Sequence, residues 1–322
     1  MCSIKKRARC LSGGGAWLLT WVVWIAAPAL AEVDLSGNWA ARNHEDTQDK
    51  TAGPSLVQYW GLPINQAARD RALTYTVDIL SVPERQCMYY APHYRVTGPS
   101  NMKIWAEYDA MTGAVTSWRM SGFFDLPPMK IYMDGRPNPG PLALHTFSGF
   151  ATGKWVGDVL VVDIDHIKES FFRRNGVPAS DQVHVTWFLA RHDDLLSFSE
   201  IVTDPVYLTE PYVVSKIFKA AHALQISVAS PPCVPASELP ELANHKIPQH
   251  QPGKNPDLDD MLDRYGIPTA AALGGAQTMY PEYRSTLMKS GYKTPVKSCS
   301  SYCCGWGVPP PAALGLLQCS LY

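Results

Sequence analysis

The stretch from His145 to Phe218 constrains the fold of this chain more than any other. It contains short runs of β-branched and aromatic residues at 159–162, 183–189 and 195–202, and clusters with glycine, asparagine or aspartate separate these runs. Such runs, bounded by turn-forming residues, are typical of consecutive β-hairpins. The stretch therefore predicts a β-meander.

The same pattern continues toward the N-terminus. Residues with apolar and polar side chains alternate over 101–108, and further short strands are predicted at 115–120 and 130–133. Further upstream, Gly37-Asn38-Trp39 resembles the first strand of lipocalin-like barrels, in which the indole closes one end. The count is eight or nine short strands between Trp39 and Ala220, and about eight strands close into a barrel with room for one small ligand. We predict a mainly β fold, a lipocalin/calycin-like antiparallel β-barrel, with a β-sandwich as the alternative because it gives the same periodicity.

The first 31 residues are predicted to be a secretory signal peptide. Four basic residues precede an apolar segment at 16–27, and Ala29-Leu30-Ala31 provides a cleavage site. The apolar segment is shorter than the roughly 20 residues that a membrane span needs, and no later stretch of the sequence is long and apolar enough. We therefore expect a periplasmic or secreted protein, cleaved after Ala31 and without a membrane span after cleavage.

The charge of the mature chain bears on its partners. Cleavage would remove four basic and no acidic residues, so that 28 basic and 29 acidic residues become 24 and 29, a net charge of −5. A negative net charge argues against nucleic acid as a partner. The sequence leaves the oligomeric state open.

We divide the chain into four parts. They are the signal peptide (1–31), a β-barrel domain (32–225), a proline-rich, partly helical extension (226–297) that packs on the barrel, and an atypical tail rich in cysteine and proline (298–322). Short helices are predicted at 63–73, at 256–265 before the stop residue Gly266, and at 281–290. The prolines between 231 and 256 exclude a continued sheet.

Six cysteines remain after cleavage, and an even number suits disulfides in an oxidising compartment. They are Cys87, Cys233, Cys299, Cys303, Cys304 and Cys319. We predict the pair Cys87–Cys233, which would tie the chain after the barrel to strands near its start, although spacing does not determine connectivity. The terminal cysteines lack the second pair of a zinc site, so we predict no metal.

Candidate catalytic residues come from positions in the meander, because the sequence has no Walker loop, nucleophile elbow, zinc-protease or dinucleotide motif. His145 and His166 are expected at the same rim of the sheet, and Arg173 and Arg174 follow in the next loop. Imidazole titrates near neutral pH and arginine can hold an anion, so these residues suit acid–base chemistry. The alternative for each histidine is a polar rim without function.

A second candidate pair is His184 with Glu200. If the face of His184 points into the barrel, this histidine and Glu200 would form a general-base pair among aromatic residues. The alternative is that His184 points to solvent. The candidates for contact with a ligand are Tyr132, Trp155, Arg174, Phe188 and Phe198.

Several motifs in this part of the chain belong together. They are Asp134-Gly-Arg-Pro137, the segment His145–Trp155 with Gly157-Asp158, His166-Ile-Lys168, Arg173-Arg-Asn-Gly176 and Asp204-Pro-Val-Tyr-Leu-Thr-Glu-Pro211. From Leu35 to Ala220 the chain resembles a large, uncharacterised family of secreted bacterial proteins. The resemblance implies export and brings no reaction with it. Relatives often carry histidine in place of Asn138 and Glu-His in place of Trp187-Phe188, which weakens a metal site here further.

The main hypothesis is an exported β-barrel that binds a small apolar or aromatic molecule and uses no cofactor. The alternative is an acid–base enzyme without organic cofactor, a lyase, isomerase or hydratase, acting on a small hydrophobic or aromatic substrate inside the barrel. In that enzyme His145 or His166 would be the acid or base, and Arg173 would hold a carboxylate or oxyanion. A structural protein of the cell envelope is the third hypothesis.

Overall fold

The computed structural model describes residues 33–42, 57–75, 89–97, 101–122, 129–173, 175–226, 250–251 and 253–292. The predicted signal peptide, Arg174, both cysteines of the predicted disulfide and the tail lie outside these residues.

Nine strands form a closed β-barrel. They are β1 (Gly37–Ala41), β2 (Met102–Tyr108), β3 (Val115–Gly122), β4 (Met129–Tyr132), β5 (Phe150–Val156), β6 (Val159–Asp165), β9 (His184–His192), β10 (Leu195–Thr203) and β11 (Tyr212–Ala220). Between β6 and β9 the chain forms a separate two-stranded sheet of β7 (Ser170–Phe171) and β8 (Pro178–Ala179). Around the barrel the order is β1-β11-β10-β9-β6-β5-β4-β3-β2. The predicted mainly β barrel is confirmed, and the sandwich alternative is not what the chain forms.

Neighbouring strands of the barrel are antiparallel with one exception. Strands β4 and β5 pair in parallel, with Ile131 opposite Ala151 and Tyr132 opposite Thr152. Parallel neighbours need a crossover, because the chain must return to the same end of the sheet. The connection that does this is 133–149, which contains the motif Asp134-Gly-Arg-Pro137 near its start and further glycine and proline residues up to position 141.

Large apolar side chains occupy the barrel interior, because alternate residues of each strand point inward. On β9 the inward residues include Trp187, and on β10 they include Phe198. The indole of Trp39, 1% exposed, donates from Nε1 to the Leu35 carbonyl at 3.0 Å, and the Arg191 guanidinium lies 5.3 Å from its ring centre.

Short helices flank the barrel. They are α1 (Gln66–Ala72), α2 (Asp260–Tyr265), α3 (Thr269–Ala272) and α4 (Pro281–Lys289), with 3-10 turns at Pro92–Tyr94 and Ala276–Met279. In the part of the chain that the structure describes, no helix has the length and apolar character needed to cross a membrane. The helix predicted at 256–265 begins four residues later, because Asn255 accepts from the Asp257 amide at 2.8 Å and donates to the Leu73 and Tyr75 carbonyls. Asn255 therefore ties the extension to the chain after α1 instead of capping a helix.

Candidate functional site

The predicted site residues separate into three places. His145, His166 and His184 lie on the outside of the barrel wall, near the 133–149 connection. Glu200, Phe198 and Trp155 point into the barrel. Arg173 lies beside Tyr212, whose hydroxyl accepts a hydrogen bond from Nη2 at 2.9 Å.

A network of polar side chains covers the outer face of β5, β6 and β9. We call it the outer-face cluster; it consists of Asn138, His145, Thr152, Asp163, Asp165, His166 and His184. Asp163 and Asp165 are two residues apart on β6, so both point to the same side of the sheet. The Asn138 amide nitrogen lies between them and donates to Asp163 Oδ2 at 2.9 Å and to Asp165 Oδ2 at 2.8 Å. Asn138 Oδ1 accepts from the Thr152 hydroxyl at 3.3 Å, so the amide neutralises part of the repulsion between two close carboxylates.

His166 fastens the connection to the barrel wall. Its Nδ1 lies 2.8 Å from Asp165 Oδ1, and its Nε2 lies 3.0 Å from the Gly140 carbonyl oxygen. Both partners are acceptors, so both ring nitrogens are best satisfied when each carries a proton. The hydrogen bond to Asp165 raises the pKa of His166 above its usual value, against the opposing effect of burial. The backbone of His166 has φ = 52°, a left-handed conformation that non-glycine residues rarely adopt.

His145 lies next to His166. The two ring centres are 5.0 Å apart, and His145 Nδ1 lies 3.1 Å from the Ile167 carbonyl oxygen. A carbonyl oxygen can only accept, so Nδ1 is the donor in this contact. The structure thus brings together the two histidines that were expected at one rim.

His184 has the outward of the two orientations considered for it. Its Nε2 lies 2.7 Å from Asp163 Oδ1, and its position on β9 is opposite Thr203 of β10. Val185, Trp187 and Leu189 are the residues that point inward. His184 therefore forms no pair with Glu200, because the barrel wall separates them. Phe188 shares this outer face, opposite Val161.

Glu200 is a buried carboxyl in an aromatic environment. Its Oε2 accepts from Trp187 Nε1 at 3.2 Å, and Oε1 has no hydrogen-bond partner among the described residues. The Trp187 ring meets the neighbouring Phe198 ring edge to face, with centres 5.0 Å apart. Burial raises the pKa of Glu200 well above its ordinary value, because the apolar surroundings disfavour the charged carboxylate.

Two further ligand-contact candidates have different surroundings. Trp155 packs against the interior core, and its Nε1 is buried without a hydrogen-bond partner in the described part of the chain. Tyr132 lies on the outer face, where it stacks on Phe150 with ring centres 5.2 Å apart. The central carbon of the Arg136 guanidinium lies 3.8 Å from the centre of the Tyr132 ring. Of these two, Trp155 is thus the one on the interior side of the barrel wall.

Sequence reasoning missed the role of Asn138. The spacing of Asp163 and Asp165, two residues apart on β6, is a local signal that puts both carboxylates on one face. Nothing local indicates that Asn138, 25 residues before Asp163, bridges them. Within the described ranges, no three histidine, cysteine or acidic residues are grouped so as to hold a metal ion.

Comparisons of this chain with models of protein families, with curated proteins and with solved structures give no match.

Proposed function

We propose that this protein is exported and that its β-barrel binds a small apolar or aromatic molecule bearing one hydrogen-bonding group. The observation that carries the proposal is Glu200, a fully buried carboxyl with one oxygen unpartnered among the described residues. The basic and apolar N-terminal segment with its cleavage site supports export.

The unpartnered Glu200 oxygen can contribute to the binding free energy of a ligand. Leaving a buried polar group without a hydrogen bond costs about 1–3 kcal/mol, so a ligand that supplies the missing partner gains that amount. A neutral carboxyl can both donate and accept, which suits a hydroxyl, carbonyl or amide on the ligand. The buried indole nitrogen of Trp155 offers a second donor.

The surroundings of Glu200 favour a planar, apolar ligand body. Trp187 and Phe198 flank the carboxyl and are buried, as is Trp118 on β3. Aromatic side chains pack well against other rings in offset and edge-to-face arrangements. Binding sites for small molecules are typically apolar with few polar groups, and this combination is present around Glu200.

The test is native mass spectrometry of the protein purified from its own periplasm or medium, followed by titration of an extracted ligand into stripped protein. Glu200→Leu should weaken binding about tenfold or more, the loss of roughly 1.4 kcal/mol. Val185→Trp should abolish binding by filling the interior, whereas Thr186→Trp on the outer face of the same strand should not. Circular dichroism confirms that each variant folds. If Glu200→Leu binds as the wild type does, the proposal is wrong.

A second candidate function is supported by the pair His145 and His166. Two adjacent imidazole rings, one of which has its pKa raised by a hydrogen bond to Asp165, are suited to proton abstraction and return. The site would then be an acid–base enzyme on the outer face of the barrel.

This enzyme hypothesis predicts that the protein exchanges acidic C–H protons of small hydrophobic carbonyl compounds with solvent deuterium, which NMR detects. His145→Ala should abolish exchange with little change in thermal stability, and His166→Ala should abolish exchange as well. His192→Ala, at the exposed end of β9, is the matched control. Full exchange in both variants contradicts this candidate.

A further inference from the structure

A groove of about 640 Å³ lies on the outside of the barrel wall formed by β10 and β11. Its lining comes from separate segments of the chain, which include Pro63, Ser199, Glu210, Val213, Ser215 and Met279. The volume is within the range of roughly 300–1,000 Å³ that small-molecule sites occupy. The groove is thus large enough for a small organic compound.

The walls of the groove are fixed by backbone hydrogen bonds. The Gly61 amide donates to the Thr278 hydroxyl at 2.8 Å and to the Gly275 carbonyl at 3.3 Å, which joins the 3-10 turn at Ala276–Met279 to the chain before α1. The floor is the antiparallel β10–β11 ladder, in which Ser199 lies opposite Ser215. Preorganised walls reduce the entropy lost when a ligand binds.

The charge of the groove has one sign. Among its lining residues, all in the described part of the chain, Glu210 is the only charged one. The Tyr280 hydroxyl donates to the Glu210 carboxylate at 3.3 Å, so this carboxylate is held next to an aromatic ring that is 49% exposed. A carboxylate beside an accessible aromatic ring attracts cations by charge and by the cation–π interaction.

The apolar part of the groove is exposed to solvent. Val213 and Met279 are each 62% exposed, although both are apolar and both line the groove. Methionine is flexible and polarisable, and adapts to ligands of different shape. The paired Ser199 and Ser215 hydroxyls add hydrogen-bond acceptors at the floor.

We propose that this groove binds a small organic ammonium compound with an apolar body. Glu210, held by the Tyr280 hydroxyl, attracts the positive charge, and Met279 and Val213 contact the apolar part. An anionic ligand would meet the Glu210 carboxylate without a cationic side chain in the lining to offset the repulsion.

The groove is independent of the interior site. Ser199 points outward into the groove and the adjacent Glu200 points inward, because successive residues of a strand face opposite sides. Variants in the groove are therefore matched controls for the interior site, and variants in the interior are matched controls for the groove. Loss of binding at one site does not imply loss of binding at the other.

The experiment uses the full chain with 13C-labelled methionine methyl groups and benzyltrimethylammonium as the probe. NMR should show a saturable shift of the Met279 methyl signal, assigned from the Met279→Leu spectrum. Glu210→Gln should weaken binding about tenfold, and Glu282→Gln, an exposed glutamate on α4, should leave it unchanged. Benzyl alcohol and benzoate, which share the ring without the positive charge, should bind at least tenfold more weakly.

Three results would overturn the proposal. They are an unchanged Met279 signal at millimolar probe, equal binding of benzyl alcohol, and equal binding by the Glu210→Gln variant. Ser215→Phe, which fills the groove from its floor, provides an independent variant: a folded Ser215→Phe protein that keeps the Met279 response contradicts the assigned position.

Discussion

Replacing Glu200 with glutamine should make the protein more stable at neutral pH, by an amount that depends on pH. Glu200 is buried in the barrel, and burial raises its pKa well above the ordinary value of 4.5. In the unfolded chain the same side chain is ionised above pH 4.5. Between the unfolded and the folded pKa, folding therefore requires the carboxyl to take up a proton.

The size of this effect follows from linkage. Each pH unit by which the folded pKa of Glu200 exceeds its unfolded value lowers the free energy of unfolding at higher pH by about 1.4 kcal/mol. The sign is that of a raised pKa: the contribution of Glu200 is fully favourable below pH 4.5 and is lost as the pH rises. Glutamine is neutral at every pH, and its own change in hydrogen bonding, about 1 kcal/mol in either direction, does not vary with pH.

Urea unfolding of the wild type, Glu200→Gln and the exposed control Glu282→Gln between pH 4.5 and 7 measures this effect. The difference between Glu200→Gln and the wild type should grow by about 1.4 kcal/mol per pH unit until the pH reaches the raised pKa of Glu200, while Glu282→Gln follows the wild type. Other titrating groups contribute equally to both proteins and cancel. If the curves of Glu200→Gln and the wild type are parallel over this range, Glu200 is not held neutral and the reasoning is refuted.

Three further predictions concern other buried or bridging polar groups. Burial lowers the pKa of His93 to about 4 from 6.5, so stability should fall as the pH drops between these values, by up to about 3 kcal/mol; His93→Phe should lack this slope, and an identical slope in both proteins contradicts the prediction. Asn138→Ala leaves Asp163 and Asp165 without their shared donor, and should lower the free energy of unfolding by about 1–3 kcal/mol, less at high salt; no change in calorimetry would show that the bridge contributes nothing. His166→Gln should speed hydrogen exchange in the 134–145 segment relative to His192→Gln, and in the wild type the protection should be lost as the pH rises through the raised pKa of His166; equal exchange in the two variants would exclude this role.

The barrel was predictable from the sequence, because the alternation of apolar and polar residues that indicates a strand is a local signal. Period-2 alternation is visible in a single strand, and nine such strands leave few architectures. It left the orientation of His184 open for a physical reason: both faces of 183–189 carry an aromatic residue, Trp187 on one and Phe188 on the other. Which face is buried depends on the neighbouring strands, where the inward Phe198 and Val162 decide in favour of Trp187.

The candidate site was predictable only in part. His145 and His166 were placed together by the order of strand ends, which is again local information. The bridge by Asn138 and the contact of His166 with Gly140 depend on how a long connection closes over the sheet, and hydrophobic periodicity says nothing about that path. The parallel pairing of β4 with β5 is a similar case, because it is a choice of partner between segments 17 residues apart (133–149).

That parallel pair has a consequence that follows from counting. Directions can alternate all the way around a closed ring only if the number of strands is even, so a ring of nine must contain at least one pair that runs the same way. The chain has to travel back along the length of the barrel once, outside the wall, to make that pair. The segment that does so here is the one that delivers Asn138, Gly140 and His145 to the outer face. Because the strand number is odd, the 133–149 connection runs outside the wall and brings Asn138 and His145 to the outer-face cluster. With a tenth strand, all neighbours could be antiparallel, and the chain would need no such connection.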